Sequence, residues 1–139
     1  SIRFTAQEVR AMGLIAAGVN ALKLGGDDEV AGMVEIIKGS EIVLLSSDGK
    51  GWRVPEEGFP VQGRYGQGVI TCRLNPGCRV AGITSGKKNT QISLHFKKAA
   101  AKVIRLDDVP TCNRATQGKP ALEVKAGEEI ERIVMGRSG

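Results

Sequence analysis

Cysteine, histidine and long apolar runs are all scarce in this chain. Its three cysteines, Cys72, Cys78 and Cys112, form no CxxC pair, and His95 is the only histidine. A zinc site would lack ligands in any usual spacing, so neither a metal nor a cofactor is expected. A sparse, odd cysteine count fits a reducing cytosol better than a disulfide-held secreted domain, which makes a cytoplasmic setting the expectation. No segment approaches the roughly 18 consecutive apolar residues of a membrane helix, and no basic stretch precedes a short apolar one as in a signal peptide. Neither a membrane span nor an export signal is visible. Opening on Ser1 rather than on methionine, the chain reads either as trimmed or as a piece of something longer.

Aromatic residues make up only 4% of the chain, whereas glycine accounts for 19 of its 139 residues. That is about twice the usual glycine share, and it favours many turns and short strands. The length suits one compact domain with a real core and is too short for two ordinary ones.

The chain also repeats itself, and a missed repeat would miscall the fold. The stretch VRAMGLIAAGVNALKL (9–24) lies over FPVQGRYGQGVITCRL (59–74) and VPTCNRATQGKPALEV (109–124), with an offset of 50 residues each time and no gap. Gly18, Gly68 and Gly118 coincide, while Gly13 and Gly63 align with Asn113, and both residue types tolerate left-handed backbone. Leu24, Leu74 and Val124 match as apolar positions, as do Val30, Val80 and Ile130. Further on, EIVLL (41–45) falls over QISLH (91–95), and GWRVPEE (51–57) resembles VIRLDD (103–108) after a two-residue shift. The units are approximately 1–50, 51–102 and 103–139.

The repeat corrects a local reading. TAQE at residues 5–8 has the form of a capping box, and Val9, Met12, Ile15, Ala16 and Val19 follow at helical spacing. The corresponding stretch of the second unit holds Pro55, Gly58, Pro60, Gly63, Gly66 and Gly68, which no long helix survives. One helical turn followed by a glycine-bearing loop is therefore expected. Strands are expected at VNALKL, VITCRL and PALEV, then at EVAGMVEII and RVAGITSG after GGDDE, NPGC or AGEE turns. EIVLLSS and TQISLHF follow, each leading into a short basic hairpin, SDGKGWRV or KKAAAKVIRL. About four strands per 50-residue unit is the blade signature of propeller-like, all-β folds.

Several features recur in order: the entry strand with Ile-Arg or Trp-Arg, the Val-Arg/Pro-x-x-Gly turn, the Gly-Val junction, the Asp-x-Val-x-Gly hairpin and the LLSSDGKG corner. Over nearly the whole chain this resembles the repeats of the C-terminal domain of bacterial DNA gyrase A and of its topoisomerase IV relative. The resemblance implies a β-pinwheel, a propeller-like ring whose blades exchange strands, here an incomplete ring of about three four-stranded blades. It also implies a noncatalytic domain that wraps double-stranded DNA on a basic outer rim. The cleaving tyrosine, metal-binding carboxylates and ATP site would then lie elsewhere in a nucleoid-associated bacterial enzyme, on the remaining domains of the gyrase A polypeptide or on the separate ATPase subunit. The glycine-rich basic heptapeptide of gyrase, of the kind QRRGGKG, has no counterpart in this sequence.

Charge is distributed unevenly. Residues 1–50 carry five basic and seven acidic side chains, residues 51–100 eight and two, and residues 101–139 seven and six. The middle unit is thus the expected DNA contact, sequence-tolerant and steeply salt-sensitive. Arg3, Arg53 and Arg105 are read as equivalent entry-strand cations, and Lys23 and Arg73 as another recurring pair. Arg64 sits among glycines low enough for a phosphate to approach the backbone. Lys50, Lys97, Lys98 and Lys102 complete the candidate DNA-binding set. Any one of these is equally well read as an ordinary solvated charge.

The other conspicuous residues have plainer readings. Cys72 aligns with Leu22 and Leu122 as a small core residue, His95 stands where Leu45 does, Tyr65 covers a loop, and Trp52 packs between blades. No Lys-Ser/Thr follows the GRYGQG loop, so that loop turns the chain rather than cradling a nucleotide. An alternative function is a β-repeat protein-interaction module in which Asp27, Asp28 and Glu29 meet a basic partner without DNA wrapping. A propeller-mouth enzyme is disfavoured, because no paired carboxylate or Cys-His constellation recurs in a loop. An open arc exposes strand edges, so self-association into a six-blade ring is a further expectation, which a monomeric mass would refute.

Overall fold

The computed structural model describes residues 1–136; residues 137–139, the end of the third unit, lie outside them. Strands β1 (Glu41–Ser46) and β2 (Lys50–Pro55) form an antiparallel hairpin. Strand β3 (Val80–Gly86), from the following unit, pairs with the outer edge of β1, and the two-residue β6 (Lys119–Pro120), from the third unit, pairs with β2. The second sheet repeats the plan fifty residues on. Strands β4 (Gln91–Phe96) and β5 (Lys102–Arg105) form the hairpin, and β7 (Ile130–Met135) joins β4. Each hairpin therefore takes its outer strand from the next unit, which is the strand exchange that defines a pinwheel.

Strand β1 is central in its sheet and covered on both faces, so it reads as a continuous apolar run rather than an alternation. On one face Val43 and Leu45 pack with Ile92, Leu94, Leu106 and Val109, all fully buried. On the other, Ile42 and Leu44 join Trp52, Val54 and Phe59. The blades stack closely where glycine permits. A Cβ added at Gly82 would lie 2.5 Å from Ile133, and one at Gly32 would lie 2.8 Å from Ile83.

One 3-10 turn stands at each equivalent place, Ala6–Glu8, Glu56–Gly58 and Leu106–Asp108. The amphipathic pattern of the first unit thus yields a single turn, as its glycine- and proline-rich counterpart requires. Among the described residues no helix is long and apolar enough to cross a membrane.

Three details of the sequence reading are corrected. The two-residue shift in the third unit is absent: Val43 faces Arg53 in the first hairpin and Ser93 faces Val103 in the second. Val103 therefore occupies the place of Arg53, and Arg105 that of Pro55, because the two hairpins have equal length. Left-handed backbone falls two positions later than expected, at Tyr65 (φ 62°) and Ala115 (φ 61°) rather than Gly63 and Asn113. Inter-unit bonds hold both, with the Tyr65 N–H donating to Ala21 O (2.9 Å) and the Ala115 N–H to Thr71 O (2.8 Å). Finally, VNALKL and VITCRL carry only isolated bridges at Leu22 and Cys72, and PALEV contributes only its first residue, Pro120, to the two-residue β6. EVAGMVEII makes no ladder, because no hairpin among the described residues lies where β1 lies for β3.

Candidate nucleic-acid interface

The recurring arginines are fastened to the fold. Arg3 donates to the carbonyls of Glu56 (2.7 Å) and Phe59 (3.1 Å) and forms an ion pair with Glu56 at 2.7 Å. Arg53 does the equivalent one unit later, donating from Nε to Val109 O (2.7 Å) and pairing with Glu41 at 3.1 Å. Arg64 is a loop latch: Nε donates to Glu8 O (3.2 Å) and Nη1 to Asn20 O (2.7 Å), while Glu8 accepts from its backbone N–H. Arg114 repeats this with Gly58 O and Ile70 O. Sequence reasoning passed over Arg114, although it lies one repeat after Arg64 and was legible on that ground. Arg3, Arg53 and Arg64 are thus half-buried, with side-chain donors bound to carbonyls of a neighbouring unit.

The remaining candidates differ. Lys23, Arg73, Lys97, Lys98, Lys102 and Arg105 are exposed. The Arg73 side chain donates only from Nε, to Ala115 O at 2.9 Å, and the Arg105 side chain has a loose pair with Asp107 at 3.9 Å. The Lys102 ammonium lies 5.8 Å from the Phe96 ring, within cation–π reach and still open to solvent. Lys50 is half-buried and donates to Asn75 Oδ1 at 3.3 Å. The β4–β5 register sets Lys97, Lys98 and Lys102 at the turn end of the blade, with Arg105 at the other end beside the exposed Lys87 and Lys88. Strand geometry sets Lys102 and Arg105 about 10 Å apart along β5. Among the described residues, the lysines of both clusters enter no ion pair.

The plainer readings fit the structure. Trp52 is buried between blades, Cys72 is half-buried beside the Ile42–Trp52 cluster, and burial pushes its thiol pKa up. Tyr65 is exposed in its loop. Gly68 (φ 78°) turns the GRYGQG loop tightly, and a Cβ there would collide with the Ser1 carbonyl. Among the described residues no group of three or more His, Cys, Asp or Glu could hold a metal ion.

Each hairpin turn is tied down by a carboxylate. Burial pushes the Asp48 carboxyl up, but hydrogen bonds from Ser46, Asn75 and Cys78 outweigh it and hold the pKa below its ordinary value. In the second hairpin the carboxylate comes from the next unit: Glu128 accepts from the Lys98 and Ala99 N–H groups, both at 2.9 Å. Desolvation again pushes upward, and the backbone donors of Lys98, Glu129, Ala99 and Lys97 hold the Glu128 carboxyl below its ordinary 4.5. A pKa lowered by folding means that the tie is complete above 4.5 and lost as pH falls through the lowered value. The Lys98 and Ala99 amide shifts are therefore expected to titrate together in an NMR pH series, with a midpoint below 4.5. A midpoint at or above that value would contradict the tie.

The comparisons with known proteins converge. A family model described as the DNA gyrase C-terminal domain, beta-propeller, matches residues 1–36, 40–84 and 97–134. The chain is 33% identical over 131 residues to DNA gyrase A of Pseudomonas aeruginosa and 28% identical over 130 residues to that of Salmonella typhimurium. Each alignment covers 93% of this chain but only 14% and 15% of those proteins, so the chain spans about one-seventh of their length. Among solved structures, the C-terminal domain of DNA topoisomerase IV superposes with a TM-score of 0.80 at 20% identity, over 95% of this chain and 42% of that one. The DNA gyrase A C-terminal domain superposes with 0.60 at 24% identity, over 73% and 32%. At these identities the two structures speak for the fold.

Proposed function

Since the chain belongs to the DNA gyrase C-terminal domain family, we propose that it is a noncatalytic module that grips duplex DNA for a bacterial type II topoisomerase. The observation that carries this reading is the set of exposed lysines at the two ends of the second blade, Lys87, Lys88, Lys97, Lys98 and Lys102, which have no carboxylate partners among the described residues. Flexible ammonium groups neutralise phosphates without reading base edges, so binding is sequence-tolerant. Two clusters on one blade give the duplex more than one point of purchase, and several such contacts offset a bending cost of about 1–6 kcal/mol. In this reading DNA lies along the basic edge and is presented to a cleavage core on the rest of the gyrase A polypeptide, with ATP hydrolysed by a separate partner protein. The setting is the bacterial cytoplasm at the nucleoid.

The test is binding to a random-sequence duplex of about 40 base pairs across a salt series. Engagement of three to five lysines gives a slope of log K against log salt between about −2.7 and −4.5, unchanged by duplex sequence. A flat salt response would overturn the reading and favour the protein-interaction alternative, in which apolar surface carries the affinity.

A further inference from the structure

The β1 and β4 sheets are built alike but differ on one face. On that face of the β1 sheet, cross-strand pairing places Val43 between Arg53 and Thr84, and Leu45 between Gly51 and Gly82. Every one of its main features meets the next unit. Val43 and Leu45 join the cluster with Ile92 and Leu94, Gly82 lets Ile133 approach, Gly51 lets Val109 approach, and Arg53 reaches the Val109 carbonyl. The same face of the β4 sheet carries none of these devices. Fifty residues on, Val43 and Leu45 are replaced by Ser93 and His95, Gly82 by Arg132, and Gly51 and Arg53 by Ala101 and Val103. A blade stacked here in the same way would meet the Arg132 side chain where Gly82 leaves room, and would bury polar groups without a latch. These residues suit a polar contact, whatever follows in the chain.

The charge on this face is of one sign. Register puts Arg132 directly opposite His95, and Arg105 opposite Gln91, four residues away along β4. Opposed side chains stand about 5 Å apart at Cβ, and strand rise sets the two places about 13 Å apart. Gln91 replaces Glu41, so the acid of the equivalent β1 face is gone. Neither His95 nor Arg132 enters an ion pair among the described residues. The charged neighbours of His95 are Arg132 on β7, Lys97 two residues on at the turn, and the exposed Glu131 where the β4–β7 register shifts; β5 presents Val103 diagonally.

We propose that this face is a second phosphate-binding surface for duplex DNA, with His95 and Arg132 sharing one phosphate. It rests on the DNA reading above and extends it from the lysine turn onto the flat of the blade. DNA is the occupant because the cations converge without an acid between them and run on into Lys97 and Lys98. The guanidinium forks onto phosphate oxygens at any pH, whereas an imidazole adds charge only when protonated. Binding therefore tightens as pH falls.

The test is binding of the 139-residue protein to a random-sequence duplex at pH 8 and pH 5.5, across salt. Arg132→Gln is expected to weaken binding about tenfold near 0.1 M salt and to make the salt slope shallower by about 0.9. The parent should bind about tenfold tighter at pH 5.5 than at pH 8, and His95→Gln should abolish that gain while leaving affinity at pH 8 unchanged. His95 is the only histidine, but burial also lowers the pKa of the Ser1 amino group, so His95→Gln carries the assignment. Arg132 is exposed, so its variant keeps the test decisive if His95→Gln folds poorly. Unchanged affinity and slope in Arg132→Gln, or a pH response that survives His95→Gln, would overturn this proposal and leave the lysine reading standing. A parent that bound no duplex would overturn both. Self-association that protects the amides of 93–95 and 132–134 and excludes DNA would overturn it as well.

Discussion

Replacing Trp52 by alanine is expected to lower stability by about 3–5 kcal/mol, the range for deleting a buried large aromatic. The side chain is 1% exposed, and its Nε1–H donates to the Thr116 carbonyl at 2.9 Å. Its ring lies on Gly118, where a Cβ would come within 2.6 Å of the indole. One residue of β2 thus clamps a loop of the third unit. Alanine would leave a cavity at that junction and an unpaired carbonyl within it. Trp52→Phe keeps most of the packing and loses the donor, for an expected cost of about 1–3 kcal/mol. Urea denaturation followed by circular dichroism measures both, since the only tryptophan is absent from the variants. A change below about 0.5 kcal/mol for alanine would show that the units are not held as one cooperative body.

The internal offset of 50 residues made most of the architecture legible. It ruled out a long first helix against the local pattern, and it placed β1, β3 and β4 where apolar runs follow glycine turns. Strand identity was less legible where pairing partners come from another unit. EVAGMVEII and RVAGITSG have the same pattern, yet only the second forms a ladder, because only it finds a preceding hairpin. The site was legible in charge but not in role. Recurrence of Arg3 with Arg53, and of Arg64 with Arg114, looks in the sequence like a periodic cationic rim. In space each pair repeats because each unit must be latched to the next through backbone carbonyls. Of the exposed lysines of the second blade only Lys88 has a lysine fifty residues earlier, Lys38, so periodicity could not have singled out Lys87, Lys97, Lys98 or Lys102.

That division gives the second large effect. Arg53→Ala is expected to destabilise the protein by about 2–4 kcal/mol, because it strands a mostly buried Glu41 carboxylate and removes the donor to Val109 O. The folded fraction should still bind DNA with an unchanged salt slope. The triple variant Lys97→Gln, Lys98→Gln, Lys102→Gln is expected to behave in the opposite way. Its stability should stay within about 0.5 kcal/mol of the parent, since these side chains are exposed and enter no ion pair among the described residues. Its salt slope should become shallower by up to about 2.7, and its affinity should fall about 100-fold or more near 0.1 M salt. Charge reversal at Arg53 or Arg64 would confound the two effects, because losing the latch would mimic losing the DNA contact. If the triple variant kept its slope, or if Arg53→Ala melted normally and lost DNA, the division into latches and phosphate ligands would be reversed. The repeated arginines of this chain would then form the rim after all.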